Sequence, residues 1–247
     1  MQWPRIVLRS ALTWIVGVLA TVAGAASALA LALINPSSPA IEKVLHWWSK
    51  AWLTASGTEL TIEGRENVDD ERSYVVVANH LSTLDIMVCF VAVRIPIRYL
   101  AKKELFRIPL LAQAMRAIGI VEVDRAARSS IHNTVNQQAQ KLIEHNRSLI
   151  IYAEGTRPRD GVMKPFKKGA FTMAISSGLP VLPVSIHGTY EAAVPGKPWF
   201  RGGPVTVIID PAIPTAGMTQ SDADALRDQT REIIAKRVTD LGGKVSA

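Results

Sequence analysis

The sequence predicts an α/β fold: a mainly parallel, helix-covered sheet, preceded by an N-terminal membrane-inserted helix pair. Three observations lead there. Short apolar runs alternate with amphipathic stretches after Gly57, roughly 25 uncharged residues fill Ser10 to Ile34, and a Trp-rich segment carrying charges comes next. The length of 247 residues suits one sizeable domain plus an appendage, because single domains commonly run to roughly 250 residues. We divide the chain into a membrane anchor over residues 1–56 and a second unit over 57–247.

As a helix, the uncharged run would reach about 37 Å, more than the hydrocarbon core of a bilayer. Arg5 and Arg9 ahead of it also fit a cleaved secretory signal, but the run exceeds the roughly 7 to 15 apolar residues of such signals, so it reads as a retained anchor. Pro36 and Pro39 then break the helix. In Ile41 to Leu53, the charges of Glu42, Lys43 and Lys50 oppose spanning, while Trp47, Trp48 and Trp52 favour the membrane interface. With a single span, Arg5 and Arg9 would leave the remainder outside. A helix pair dipping into one leaflet instead keeps the second unit on the side where the chain starts, facing the cytoplasm.

A formal charge of +7 and a pI near 9.7 favour anionic partners. The Lys and Arg residues are dispersed, without a basic arm, zinc-finger spacing or aromatic-rich RNA motif, which points to membrane lipids or phosphorylated small molecules and not to nucleic acid. The single cysteine, Cys89, excludes an intrachain disulfide and reads as an inert core thiol.

Beyond Gly57, strands are expected near Leu60–Glu63, Tyr74–Asn79, Ile97–Ala101, Ile118–Val123, Leu149–Ala153, Val181–Ile186 and Val205–Ile209. Helices fall between most of them, including Leu84 to Val93. Ser129 to His145 places Ile131, Val135 and Leu142 at helical spacing, and a last amphipathic helix runs from Ser221 to Leu241 with Ser221 or Asp222 as its cap.

Chemistry concentrates at strand ends. Asn79 to Asp85 closes the apolar run Tyr74 to Ala78, presenting His80 at the strand's mouth and Asp85 on the first turn of the following helix. A carboxylate on one ring nitrogen fixes the tautomer and leaves the other as a base. Ser82 is near, but no Gly-x-Ser-x-Gly elbow exists, so the nucleophile is expected from the substrate. A second cluster, Glu154-Gly155-Thr156-Arg157, follows another apolar strand. Its Gly permits a tight turn and its Arg suits a phosphate, while Glu154, which cannot bind phosphate, is expected to tie the loop down. Lys164, Lys167 and Lys168 enrich the same rim in positive charge. The third cluster, Gly119 to Arg125, ends in Arg125, and Lys102 and Lys103 end the strand before it. In an open parallel sheet such ends share one edge, where ligands bind. Each of these cations also reads as an ordinary surface charge. No His or Cys spacing suggests a metal and no dinucleotide fingerprint occurs.

In this order, from about Leu60 to Pro214, these segments resemble the glycerolipid acyltransferase family, in particular its 1-acyl-sn-glycerol-3-phosphate acyltransferases. The four blocks are Asn79-His80 with Asp85; Gly119 to Arg125; Glu154 to Arg157 with Phe166, Lys167 and Gly169; and Pro180 to Val184. One departure is Glu122, where the second block usually carries an aromatic residue. The resemblance implies an acyltransferase catalytic domain over 57–247 in which His80, oriented by Asp85, deprotonates the sn-2 hydroxyl of lysophosphatidic acid for attack on an acyl thioester, giving phosphatidic acid. It implies a phosphate site built from Arg157 with Gly155, Thr156 and Glu154, assisted by Arg125, Lys102 and Lys103. No cofactor or metal is expected beyond the co-substrate thioester, on coenzyme A or acyl carrier protein. Oxyanion donors are sought near Gly155. Two alternatives are another lyso-lipid acceptor with the same dyad and a membrane-anchored lipid-binding scaffold without turnover.

Overall fold

The structure is a computed structural model that describes residues 3–123 and 147–246. The expected helix Ser129 to His145 and the side chain of Arg125 lie outside the described residues.

Two helices open the chain, α1 (Trp3–Ile34) and α2 (Pro39–Ser56). The Ser38 hydroxyl accepts the Ala40 N–H at 3.3 Å, and Pro39 occupies the first turn, where its missing N–H goes unneeded. The helices approach closely because α1 presents small residues: a Cβ on Gly17 would stand 2.4 Å from the Trp52 ring. Trp48 and Trp52 both donate their indole N–H to the Thr21 hydroxyl, at 2.9 and 3.3 Å. This corrects the expectation that all three indoles of α2 seek the membrane interface. Only Trp47 is exposed, because an indole N–H turned inward needs an acceptor and Thr21 offers one.

Seven strands form the main sheet: β1 (Thr58–Glu63), β2 (Val75–Ala78), β3 (Ile97–Lys102), β4 (Val121–Val123), β5 (Ser148–Tyr152), β7 (Val181–His187) and β8 (Gly203–Ile209), in the order β1-β8-β7-β2-β5-β3-β4. From β7 to β4 all neighbours are parallel, as expected. At the other edge β8 runs antiparallel to β7 and carries β1 with it. A ribbon of β6 (Val162–Met163) and β9 (Lys244–Val245) stands apart.

All four residues of β2 are buried, as a central parallel strand requires. Val76 and Ala78 face a core shared with α3 (Leu84–Ala92) and with Trp52 and Leu53 of α2. Val75 and Val77 face the opposite core, beneath α5 (Gly169–Ser177) and α6 (Ala223–Asp240). Two of the boundaries that differ from expectation have a local cause. Ile118 closes α4 (Leu111–Ile118) and Gly119 takes the left-handed cap at φ 87°, which leaves β4 only three residues. The last helix begins at Ala223, after a 3-10 turn that Thr219 and Asp222 secure by a reciprocal capping box.

The helix pair is joined to the sheet. On α1, Trp14 donates to the Pro198 carbonyl at 3.0 Å and Ser10 accepts the Phe200 N–H at 2.8 Å. Arg98 of β3, with no exposed surface, clamps Glu42 of α2 through two bonds of 2.6 and 3.3 Å and donates to the Ile118 carbonyl at 2.5 Å.

Candidate active site

The strand β2 ends one residue before the first chemical group. Asn79, fully buried, exchanges two hydrogen bonds of 2.8 Å with the Ile186 backbone of β7, which pins the strand's exit. His80 follows, its side chain 12% exposed, and the turn to α3 brings Asp85 under it. One carboxylate oxygen, Asp85 Oδ2, accepts three donors: His80 Nδ1 at 2.8 Å, Leu81 N–H at 2.7 Å and Ser82 N–H at 2.8 Å. With Nδ1 donating, Nε2 is left with its lone pair. The other oxygen, Oδ1, is buried without a hydrogen-bond partner. Ser82 donates its hydroxyl to the Ala193 carbonyl at 2.7 Å, a structural bond that takes its proton away from His80.

The adjacent strand β5 supplies the rest, since its register places Tyr152 level with Ala78. The Tyr152 ring stacks on the His80 imidazole, with centroids 3.8 Å apart and planes within 9°. Glu154, 4% exposed, accepts the His80 N–H with one oxygen and the Lys164 N–H with the other, both at 2.7 Å. It therefore ties the loop down, as its place in the sequence suggested. Burial pushes its carboxyl up to about 7, against the downward pull of those two N–H groups.

Arg157 reaches back across this turn and donates to the Thr83 hydroxyl, beside the His80–Asp85 segment. Gly155 sits at φ 79°, and a Cβ there would lie 2.8 Å from the Lys167 ammonium, so the glycine and this lysine are packed together. The Gly155 N–H donates to the Tyr152 carbonyl at 2.9 Å; it closes the turn and does not supply the oxyanion donor sought there. The expected concentration of three lysines also needs correction. Lys164 pairs with Asp160 and Lys168 with Asp224, each at 2.7 Å, which neutralises two of them at the surface. Thr156 is exposed at the tip of the same turn.

His80, Asp85, Glu154, Gly155, Thr156 and Arg157 thus form one cluster. Lys102 ends β3 on the same sheet edge, two strands from β2 and so about 10 Å across the sheet, and Lys103 begins the next turn. Glu122 points outward to Arg116 at 3.3 Å, an exposed pair that keeps this acid's charge off the cluster. Sequence reasoning missed Tyr152 as a partner of His80 and Lys167 as the neighbour of Gly155. The stack depends on the β2–β5 register, while Lys167 was already visible within the third block.

The Acyltransferase family model matches residues 59–187, slightly more than half of the chain. The chain belongs to that family. All six clustered residues of this acyltransferase-family chain lie within the matched segment. Among curated proteins, it is 34% identical over 195 residues to a 1-acyl-sn-glycerol-3-phosphate acyltransferase of Chlamydomonas reinhardtii, covering 77% of this chain and 57% of the relative. It is 29% identical to the Haemophilus influenzae 1-acyl-sn-glycerol-3-phosphate acyltransferase, with 86% of each covered. The chain spans 57% of the algal relative and 66% of human 1-acyl-sn-glycerol-3-phosphate acyltransferase beta. Its fold matches the crystal structure of the 1-acyl-sn-glycerophosphate (LPA) acyltransferase PlsC from Thermotoga maritima over the whole of both chains, with a TM-score of 0.84 at 27% identity.

Proposed function

We propose that this chain is a 1-acyl-sn-glycerol-3-phosphate O-acyltransferase, converting lysophosphatidic acid and an acyl thioester into phosphatidic acid and a free thiol. The observation that carries the reading is the 2.8 Å contact between His80 Nδ1 and a fully buried Asp85, within a family whose named relatives act on that acceptor. His80 Nε2 takes the proton of the sn-2 hydroxyl as its oxygen bonds to the thioester carbonyl carbon. The tetrahedral adduct collapses with loss of the carbon–sulfur bond, and His80 returns the proton to the departing thiolate. No enzyme nucleophile is used, in keeping with the occupied hydroxyl of Ser82. Positioned base catalysis typically contributes about 10² to 10⁴-fold, and alignment of the two reactants more.

The acceptor phosphate is assigned to Arg157, with Lys167 beside Gly155, and with Lys102 and Lys103 arriving from the end of β3; Arg125 joins them on the family resemblance alone, and Glu154 and Thr156 shape the turn. Residues 57–247 act as the catalytic domain and 1–56 as its anchor.

Helix α1 is long and apolar enough to cross a membrane by length and composition. We assign it instead to one leaflet. Along its length α1 packs on α2 and on the 198–201 segment, and α2 exposes Lys43 and Lys50. A spanning α1 would draw those ammonium groups into hydrocarbon, at about 2.5–3.5 kcal/mol each near the bilayer centre. A leaflet-bound pair keeps the catalytic domain on the cytoplasmic side, and the site meets lipids without lifting acyl chains out of the membrane at about 0.8 kcal/mol per CH₂.

The test is acyl transfer by the purified chain with lysophosphatidic acid against other lyso-lipids, using coenzyme A and acyl carrier protein thioesters in parallel. Preference for the phosphate-headed acceptor is expected. Equal rates with a zwitterionic lysophospholipid would overturn the acceptor assignment, and unaltered turnover by a folded His80→Ala variant would overturn the mechanism.

A further inference from the structure

Large apolar side chains left exposed fall into two groups. Most lie on the helix pair, where Leu8, Leu12, Ile15, Leu19 and Val22 follow helical spacing along one stripe of α1. Among the described residues beyond the pair, only Leu105 and Ile108 are of this kind, at 42% and 47% exposure. They flank the buried Phe106 in and just after the 3-10 turn Lys103–Arg107 that ends β3.

That turn is mechanically attached to the anchor. Phe106 is held by Ala112 and Met115 of α4, while Ile118 at the other end of α4 packs with Ala28 and Ala32 of α1 and Ile41 of α2. Eight helical residues span about 12 Å, so the two exposed groups sit on one short rigid link. Exposed Lys102 precedes the apolar pair and exposed Arg107 lies between its two members, so with Lys103 the turn carries three cations against the single acid Glu104. Apolar side chains among an excess of cations suit a surface that is oily beneath and anionic above. The turn also emerges on the sheet edge that bears His80 and Arg157.

We infer that the Leu105–Ile108 turn is a second membrane contact, inserting into an anionic lipid surface beside the active site. The anchor and this turn then hold the carboxyl edge of the sheet against the bilayer from two sides, so the acceptor headgroup meets Arg157 without the domain swinging on its helices. The inference rests on the reading of α1 and α2 as a membrane anchor.

The full-length protein tests it in vesicles of phosphatidylcholine with a minority of phosphatidylglycerol. Cys89 is the only cysteine and is buried, its thiol pushed up to about 12, so introduced cysteines take the label. A fluorophore is placed in turn at Leu105→Cys, Ile108→Cys, Leu19→Cys on the anchor and Lys236→Cys on the exposed face of α6. Nitroxide-bearing lipids are expected to quench positions 105, 108 and 19, and not 236. Quenching at 19 without 105 and 108 would overturn the inference and leave the anchor intact; absence at all three would overturn the anchor reading as well. The Leu105→Gln/Ile108→Gln double variant is expected to lose at least fivefold activity on vesicle-embedded acceptor and to stay within twofold on a dispersed short-chain acceptor. A loss confined to the acyl carrier protein donor, equal in both formats, would overturn it in favour of a protein-docking surface.

Discussion

Replacing Asp85 with Asn separates what its carboxylate does by geometry from what it does by charge. All three donors converge on Oδ2, so an asparagine oxygen in that place keeps His80 Nδ1 and the Leu81 and Ser82 N–H groups, and with them the tautomer. Only the negative charge opposite a developing imidazolium is lost. At about 4 Å between charge centres and an effective dielectric of roughly 20, that attraction is about 4 kcal/mol, close to a thousandfold in rate. The amide NH₂ must occupy the position of Oδ1, which has no partner, at about 1–3 kcal/mol of stability. Thiol release from the acyl donor, followed under saturating acceptor, is therefore expected to fall roughly 10² to 10³-fold in kcat with the acceptor KM nearly unchanged. Denaturant unfolding should register the smaller stability loss. Asp85→Ala, which also frees the ring, should fall further. A folded Asp85→Asn variant that kept kcat within about threefold would mean that no positive charge grows on His80, and base catalysis there would be refuted.

Other perturbations follow the same geometry. Glu154, raised from an ordinary 4.5 to about 7, binds its proton more tightly folded than unfolded, so its contribution to stability is complete below about 4.5 and is lost as pH rises through about 7. That loss is about 3 kcal/mol; Glu154→Gln should abolish this slope in unfolding measurements across pH 4 to 8, while leaving one buried N–H unaccepted at about 1–3 kcal/mol. Tyr152→Phe keeps the stacked ring and should keep kcat, whereas Tyr152→Leu should lower kcat roughly 2- to 12-fold with little change in KM, following the 0.5–1.5 kcal/mol of an aromatic pair. Arg157→Ala should raise the acceptor KM more than it lowers kcat in steady-state kinetics; equal falls in kcat and kcat/KM would place Arg157 in the transition state alone.

What the sequence could disclose about the site depended on how far apart the partners lie along the chain. His80 and Asp85 are five residues apart on a strand, a turn and a helix start, so local geometry dictates their meeting. Glu154 was legible as a loop tie because a carboxylate beside an arginine has little else to do in a phosphate site. Its partners, the N–H groups of His80 and Lys164, were not legible, because they depend on strand register and on a loop returning to the sheet edge. The same limit hid the stack of Tyr152 on His80. Periodicity found the strands and the parallel sheet. It could not reveal the reversal of β8 and β1, since an apolar strand reads alike in either direction, nor that Thr21 turns two indoles of α2 inward across a separation of 27 and 31 residues.

The clamp between Arg98 and Glu42 bears on how this protein can be handled. A shortened form starting at Gly57, made to obtain a water-soluble enzyme, would take away the counter-charge of Arg98, whose guanidinium has no exposed surface while α2 covers it, and losing one partner of a buried ion pair typically costs up to about 3–5 kcal/mol. The same cut would strip Trp52 and Leu53 from the main core. The hairpin is not a detachable leash but a wall of the folded body, and solubility is better sought by substituting the outward stripe of α1 than by deleting the helix.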